Sequence, residues 1–154
     1  MRLDTSRVIL IQEALIVRNF RKMRIMVLED NENRIKRFKQ ELIGHELDVY
    51  VDADPAVQAL KTKNYDVVFL DHDLDNETYV DPLERNTGYE VIRFLVRNKL
   101  NTNTNFIVHS MNPVGDSMVK SLKANDYKAV RAVFNSHEFY SIIEQLSNYK
   151  DKET

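Results

Sequence analysis

Five short extended runs, each followed by a stretch with helical periodicity, restrict this chain more than any other feature. Ile25–Leu28, Val67–Leu70 and Phe106–Val108 are unbroken apolar runs, Leu47–Val51 alternates, and Ala129–Phe134 is a last extended segment. Unbroken runs of this length suit strands buried on both faces. Between them, Ile35, Phe38 and Leu42 recur at helical spacing and stop at Gly44. Ala56–Leu60 follows Pro55, and Val91, Ile92, Leu95 and Val96 mark one helical face. Val114–Ala124 and then Phe139, Ile142, Ile143 and Leu146 complete the series. Strict strand–helix alternation predicts a parallel sheet covered by helices on both faces. Five such units predict an α/β three-layer sandwich of the flavodoxin-like class, with a five-stranded parallel sheet in the order 2-1-3-4-5.

A chain of 154 residues suits one domain with a real core. A net charge of −2 indicates neither a nucleic-acid-coating protein nor an acidic tail, so no DNA partner is expected. The absence of cysteine excludes disulfides, thiolate metal sites and cysteine nucleophiles. No apolar run reaches the roughly 18 residues that span a bilayer, so no membrane partner is expected, and the lack of cysteine fits an expected cytoplasmic location. Residues 1–22 lie outside the repeating pattern. They read either as an amphipathic helix capped by Asp4 or Thr5, with Val8, Ile11 and Leu15 on its apolar face, or as sequence preceding a natural start at Met23. The domain proper is read as 23–150, with 151–154 as a tail.

In open sheets of this class, ligands bind beyond the carboxyl ends of the strands. Glu29, Asp30 and Asn31 follow the first strand. Asp71, His72 and Asp73 follow the third, within "FLDHDLD". His109, Ser110, Asn112 and Gly115 follow the fourth, within "HSMNPVG". The expected order makes these three strands neighbours, so the carboxylates and both imidazoles share one rim. Each piece also has a plain reading. Acids and Asn31 after a strand cap the next helix, His109 is a hydrogen-bonded core histidine, and Asn135 with Glu138 forms a capping box. Clustered carboxylates, however, repel one another and raise their pKa values unless a cation neutralises them. Oxygen ligands favour magnesium, calcium or manganese; histidine widens the choice to manganese, zinc or iron. Asn112 is expected as a helix N-cap and Pro113 at the first helical position, which makes the turn up to Gly115 a candidate phosphate cradle. In the long loop "DNETYVDPLERNT", Arg85 is a candidate phosphate grip and Tyr79 a candidate base-stacking ring.

From Met23 onward the chain resembles a response-regulator receiver domain. Glu29 and Asp30 sit where receivers bind magnesium, Asp71 where they carry the phosphoacceptor aspartate, and Ser110 at their hydroxyl position. Receivers place a lysine after strand 5, where this chain reads Phe134, Asn135, Ser136. The segments "LDHDL" (70–74), "YVD" (79–81), "NTGYEV" (86–91) and "HSMNPVG" (109–115) resemble a narrower family, the cyclic-phosphate processing receiver-like domains, although "DLDNETYV" lacks the glycines expected after "DHDL". The resemblance implies metal-dependent hydrolysis of a cyclic phosphate on a nucleotide or an RNA end, a phosphodiesterase activity. It implies a divalent cation, magnesium or manganese, on Glu29, Asp30, Asp71 and Asp73. His72 and His109 are then base and acid beside Asp71. Ser110, Asn112, Gly115 and Arg85 hold the phosphate, and Tyr79 touches the base. Two other readings are a non-catalytic binder of cyclic nucleotides and a receiver phosphorylated on Asp71; the missing lysine argues against the second.

Overall fold

The computed structural model describes residues 22–74 and 78–147. All but the last residue of the segment 1–22, where a helix is expected, and the tail at 151–154 lie outside the described residues. The elements run β1 (Arg24–Leu28), α1 (Glu32–Glu41), β2 (Glu46–Tyr50), α2 (Ala53–Thr62), β3 (Val67–Leu70), α3 (Gly88–Asn98), β4 (Asn105–Val108), α4 (Gly115–Ala124), β5 (Lys128–Arg131) and α5 (His137–Ser147). All five strands are parallel, in the order β2-β1-β3-β4-β5.

Alternation along each strand divides the core into two layers. Met26, Leu28, Val68, Leu70, Phe106 and Val108 face α2, α3 and α4, meeting Ala56, Leu60, Val91, Ile92, Leu95, Met118 and Leu122. Ile25, Val27, Val67, Phe69, Ile107 and Val130 face α1 and α5, meeting Phe38, Leu42, Phe139, Ile142 and Leu146. The central strands are apolar throughout because both faces are covered.

Register then fixes the rim. Leu28 pairs with Leu70, and Leu70 with Val108. The next residue of each strand is therefore Glu29, Asp71 or His109, level and side by side. The Asp71 N–H donates to the Leu28 carbonyl (3.1 Å) and the His109 N–H to the Leu70 carbonyl (3.0 Å), so pairing persists into the rim itself.

Three local expectations are corrected. β5 ends at Arg131 rather than Phe134, although the Ala132 and Phe134 amides still bond to Val108 and His109 carbonyls. The α5 cap is Ser136, whose Oγ accepts from the Phe139 amide at 3.1 Å; Asn135 takes a left-handed φ of 69°, which asparagine tolerates, and so falls one residue outside the helix. Finally, α4 opens at Gly115 because residues 112–115 first close a tight turn.

Candidate functional site

Glu29 is sealed from solvent, and its carboxylate accepts three hydrogen bonds. Its Oε1 accepts from His109 Nε2 at 3.1 Å and lies 3.5 Å from an Arg34 guanidinium nitrogen. Its Oε2 accepts from the backbone amides of Asp30 (3.0 Å) and Asn31 (3.1 Å). Burial alone would raise the Glu29 pKa. The His109 hydrogen bond and charge, the Asn31 amide and Arg34 outweigh it and bring Glu29 down to about 2. Asn31 is a helix cap, its Oδ1 accepting from the Asn33 and Arg34 amides.

Asp71 is the counterpart of Glu29. Burial, reinforced by the Glu29 charge and opposed by His109 and the Ser110 hydroxyl, pushes its carboxyl up to about 6. Its Oδ1 accepts from the His72 amide at 2.8 Å. One ligand atom from each of Glu29, Asp71 and His109 lies within 4.8 Å of the others, a spacing that could hold a metal ion. A cleft of about 310 Å³ opens on this rim, lined by Glu29, Asp30, Asn31, Arg34, Asp71, Asp73, Thr78, Tyr79, Met111 and Asn112.

The structure does not bring the two histidine rings to one point from two sides. His109 is fully buried behind Glu29, edge-on to Phe38 at 5.3 Å between centroids and to Phe69 at 6.3 Å. Its Nδ1 has no hydrogen-bond partner. His72 turns towards the loop: Nε2 donates to the Val80 carbonyl (2.9 Å), and Nδ1 accepts from the Tyr89 amide (3.4 Å). A carbonyl only accepts, which assigns the proton to Nε2. Burial holds this imidazole below the usual histidine range, against the Val80 bond and the Asp73 charge.

Asp73 and Asn112 share that task. The Asp73 carboxylate accepts from the Tyr79 amide (3.0 Å), the Val80 amide (2.9 Å) and Asn112 Nδ2 (3.0 Å). Asn112 Nδ2 also reaches the Val80 carbonyl at 3.2 Å. These side chains clamp the loop after β3 and carry Tyr79 to the cleft, the residue 72% exposed and its φ at 54°. Farther along, Asn86 caps α2, its Oδ1 accepting from the Ala53 amide at 2.8 Å, and Thr87 caps α3. Gly88 lies against the strand end, where a Cβ would overlap the Asp71 carbonyl oxygen.

Two of the expected phosphate contacts have other partners in the structure. Arg85 lines a separate cavity with Asp52, Asp54 and Glu90, because Asn86 ties that end of the loop to α2. The turn before α4 keeps its amides for itself. Val114 N–H donates to Asn112 Oδ1 (3.0 Å), Gly115 N–H to the Asn112 carbonyl (2.9 Å), and Asp116 N–H to the Pro113 carbonyl (3.3 Å). Gly115 is small because the Arg131 side chain lies where a Cβ would be; that guanidinium donates to the Ser110 and Asn112 carbonyls. Ser110 is buried, and its Oγ accepts from the Asn112 amide at 3.1 Å while also bonding Asp71.

Sequence reasoning missed Arg34 and Met111. An arginine in the first turn of α1 leans back towards the helix N-terminus, so its position just after the acidic pair was the available signal.

The sequence model described as "Cyclic-phosphate processing Receiver domain" matches residues 24–125. No curated protein matches the chain. Solved structures similar to it include the signal receiver domain of a putative Luxo repressor protein from Vibrio parahaemolyticus, at 14% identity, covering 86% of this chain and 96% of that one, with a TM-score of 0.57. Response regulator TrrA from Thermotoga maritima, solved in complex with Mg2+-BeF, is 26% identical, covering 82% of this chain and 99% of that one, with a TM-score of 0.56. A CheY-like receiver domain protein from Methanospirillum hungatei is 13% identical, covering 86% and 99%, with a TM-score of 0.57.

Proposed function

The chain belongs to the cyclic-phosphate processing receiver domain family, and on that premise we propose that it hydrolyses a cyclic phosphate on a nucleotide or an RNA end, aided by magnesium or manganese. The observation that carries the reading is the pair of buried carboxylates, Glu29 and Asp71, at the floor of an acidic cleft. A cation relieves such crowding, and the similar TrrA holds its Mg2+-BeF on the same fold. Glu29 already accepts three hydrogen bonds and faces the Arg34 charge at 3.5 Å. The residues that would hold the ion are therefore Asp30 and Asp71, with Glu29 supplying charge from behind. A bound divalent cation would polarise the phosphodiester and acidify an attacking water.

The chain's own residues prepare that site. His109 keeps Glu29 ionised in a dry setting. Ser110 orients the Asp71 carboxylate from one side and the His72 amide from the other. His72, Asp73 and Asn112 fix the loop that offers the Tyr79 ring to a base. The phosphoacceptor alternative is disfavoured by the absence of a β5 cation at Asp71, since Arg131 is engaged with Ser110, Asn112 and Asp116.

The test is a chromatographic screen of cyclic mononucleotides, cyclic dinucleotides and RNAs with 2′,3′-cyclic ends. Ring-opened monophosphate is expected with added magnesium or manganese, and none with chelator or with Asp71→Asn. Ligand retained intact makes the chain a binder. Neither retention nor turnover of any cyclic phosphate removes the reading.

A further inference from the structure

We propose that Arg34 is the side chain that grips the phosphate oxygens of the ligand, entering from α1 in place of the cation that β5 does not deliver. This rests on the cyclic-phosphate reading of the cleft and adds the phosphate's protein ligand to it.

The charge of the cleft makes such a group necessary. Among the described residues, four carboxylates line it, those of Glu29, Asp30, Asp71 and Asp73, against one cation, Arg34. A phosphodiester monoanion approaching that rim meets repulsion from every ionised side chain but one. Arg34 is placed and only lightly bonded. Its guanidinium carbon lies over the Phe134 ring, 5.0 Å from the centre, a cation–π contact that favours this placement. One terminal nitrogen is 3.5 Å from Glu29 Oε1, long for a charge-assisted bond, and the other is 3.3 Å from Met111 Sδ, a weak acceptor. A guanidinium carries five N–H donors in a planar fork. With these two contacts satisfying it poorly and its side chain 26% exposed, the fork retains donors for two non-bridging phosphate oxygens, its preferred bidentate partner. The stretch where a receiver would carry lysine reads Phe134, Asn135, Ser136, and its aromatic ring meets the Arg34 cation of α1.

The experiment is titration calorimetry of the full chain with inorganic phosphate in the presence of magnesium, and separately with magnesium alone. The variants are Arg34→Gln and Arg34→Lys, both good helix formers. Arg34→Gln is expected to lose roughly ten- to hundredfold in phosphate affinity, the worth of one or two charge-assisted hydrogen bonds. Arg34→Lys should fall between it and the wild type. Magnesium affinity should hold or rise in Arg34→Gln, because a like charge has been removed. Equal phosphate affinity in wild type and Arg34→Gln overturns the inference, as does a wild type that binds no phosphate. Joint loss of magnesium and phosphate affinity with a lowered melting temperature also overturns it, in favour of a purely structural role through Glu29. Turnover of a cyclic phosphate by wild type and Arg34→Gln alike discards the role of Arg34 and keeps the hydrolase reading. Arg34-dependent phosphate binding without turnover does the reverse.

Discussion

His109 Nε2 lies 3.1 Å from Glu29 Oε1, with both side chains sealed from solvent. The imidazole acts on the carboxylate, and the carboxylate faces the cleft. Removing the ring in His109→Leu leaves a buried charge without its main partner and should cost about 3 kcal/mol of stability, read as a lowered denaturation midpoint. The depressed Glu29 pKa sets the sign with pH. Its stabilising contribution is complete above the ordinary value of 4.5 and is lost as pH falls towards about 2. Acid titration followed by circular dichroism should show this loss in the wild type and a smaller one in His109→Leu.

Asp71 carries the opposite sign. Its carboxyl rises from 3.8 to about 6 in the folded chain, so the folded state holds the proton more tightly than the unfolded one. Stability therefore falls as pH rises through that window and stays reduced above it. Asp71→Asn should raise the melting temperature at pH 8, by an amount equivalent to about 1–3 kcal/mol, and change nothing near pH 3. Added magnesium should stabilise the wild type but not the variant.

His72→Ala removes a donor to the Val80 carbonyl and an acceptor for the Tyr89 amide. A loss of about 2 kcal/mol is expected, together with faster proteolytic nicking between residues 78 and 87. Any turnover should drop through weakened ligand binding while its pH profile keeps the same limbs. A lost limb would instead assign His72 to proton transfer.

Gly88→Ala places a methyl group against the Asp71 carbonyl, a backbone atom that cannot swing aside. The start of α3 must then move away from the strand end, at a cost of about 3 kcal/mol or more. Thermal unfolding should show it, and divalent-ion affinity should fall with it.

Tyr79 presents an exposed ring from a backbone with φ of 54°. Alanine and phenylalanine there bear the same backbone strain, so the comparison isolates the ring. Tyr79→Phe should retain affinity for a cyclic nucleotide, and Tyr79→Ala should lose about ten- to hundredfold, the usual worth of one base stacked on an aromatic side chain.

The sheet order was legible because buried parallel strands are written as unbroken apolar runs such as Val67–Leu70, and the acids and histidines follow those runs directly. Composition of the rim was legible for the same reason: register makes Glu29, Asp71 and His109 neighbours. The aim of each side chain was not legible. "DHD" reads as three functional groups, yet His72 is spent on Val80 and Tyr89, and Asp73, though it lines the cleft with Asp71, is bonded to the Tyr79 and Val80 amides. Those partners are set by a loop path that carries no periodicity. Arg85 and Arg34 look alike in the sequence. One is drawn off by Asn86, and the other is brought in by the tilt of helical side chains and a ring from β5's far end.

The Val80 carbonyl receives donors from both His72, beyond β3, and Asn112, beyond β4. That double tie fastens one backbone oxygen to the residues that follow two neighbouring strands, so the Tyr79 side of the cleft is held to the same rim that carries the carboxylates. A change that loosens either donor should therefore widen the cleft on that side while the sheet itself stays as it is.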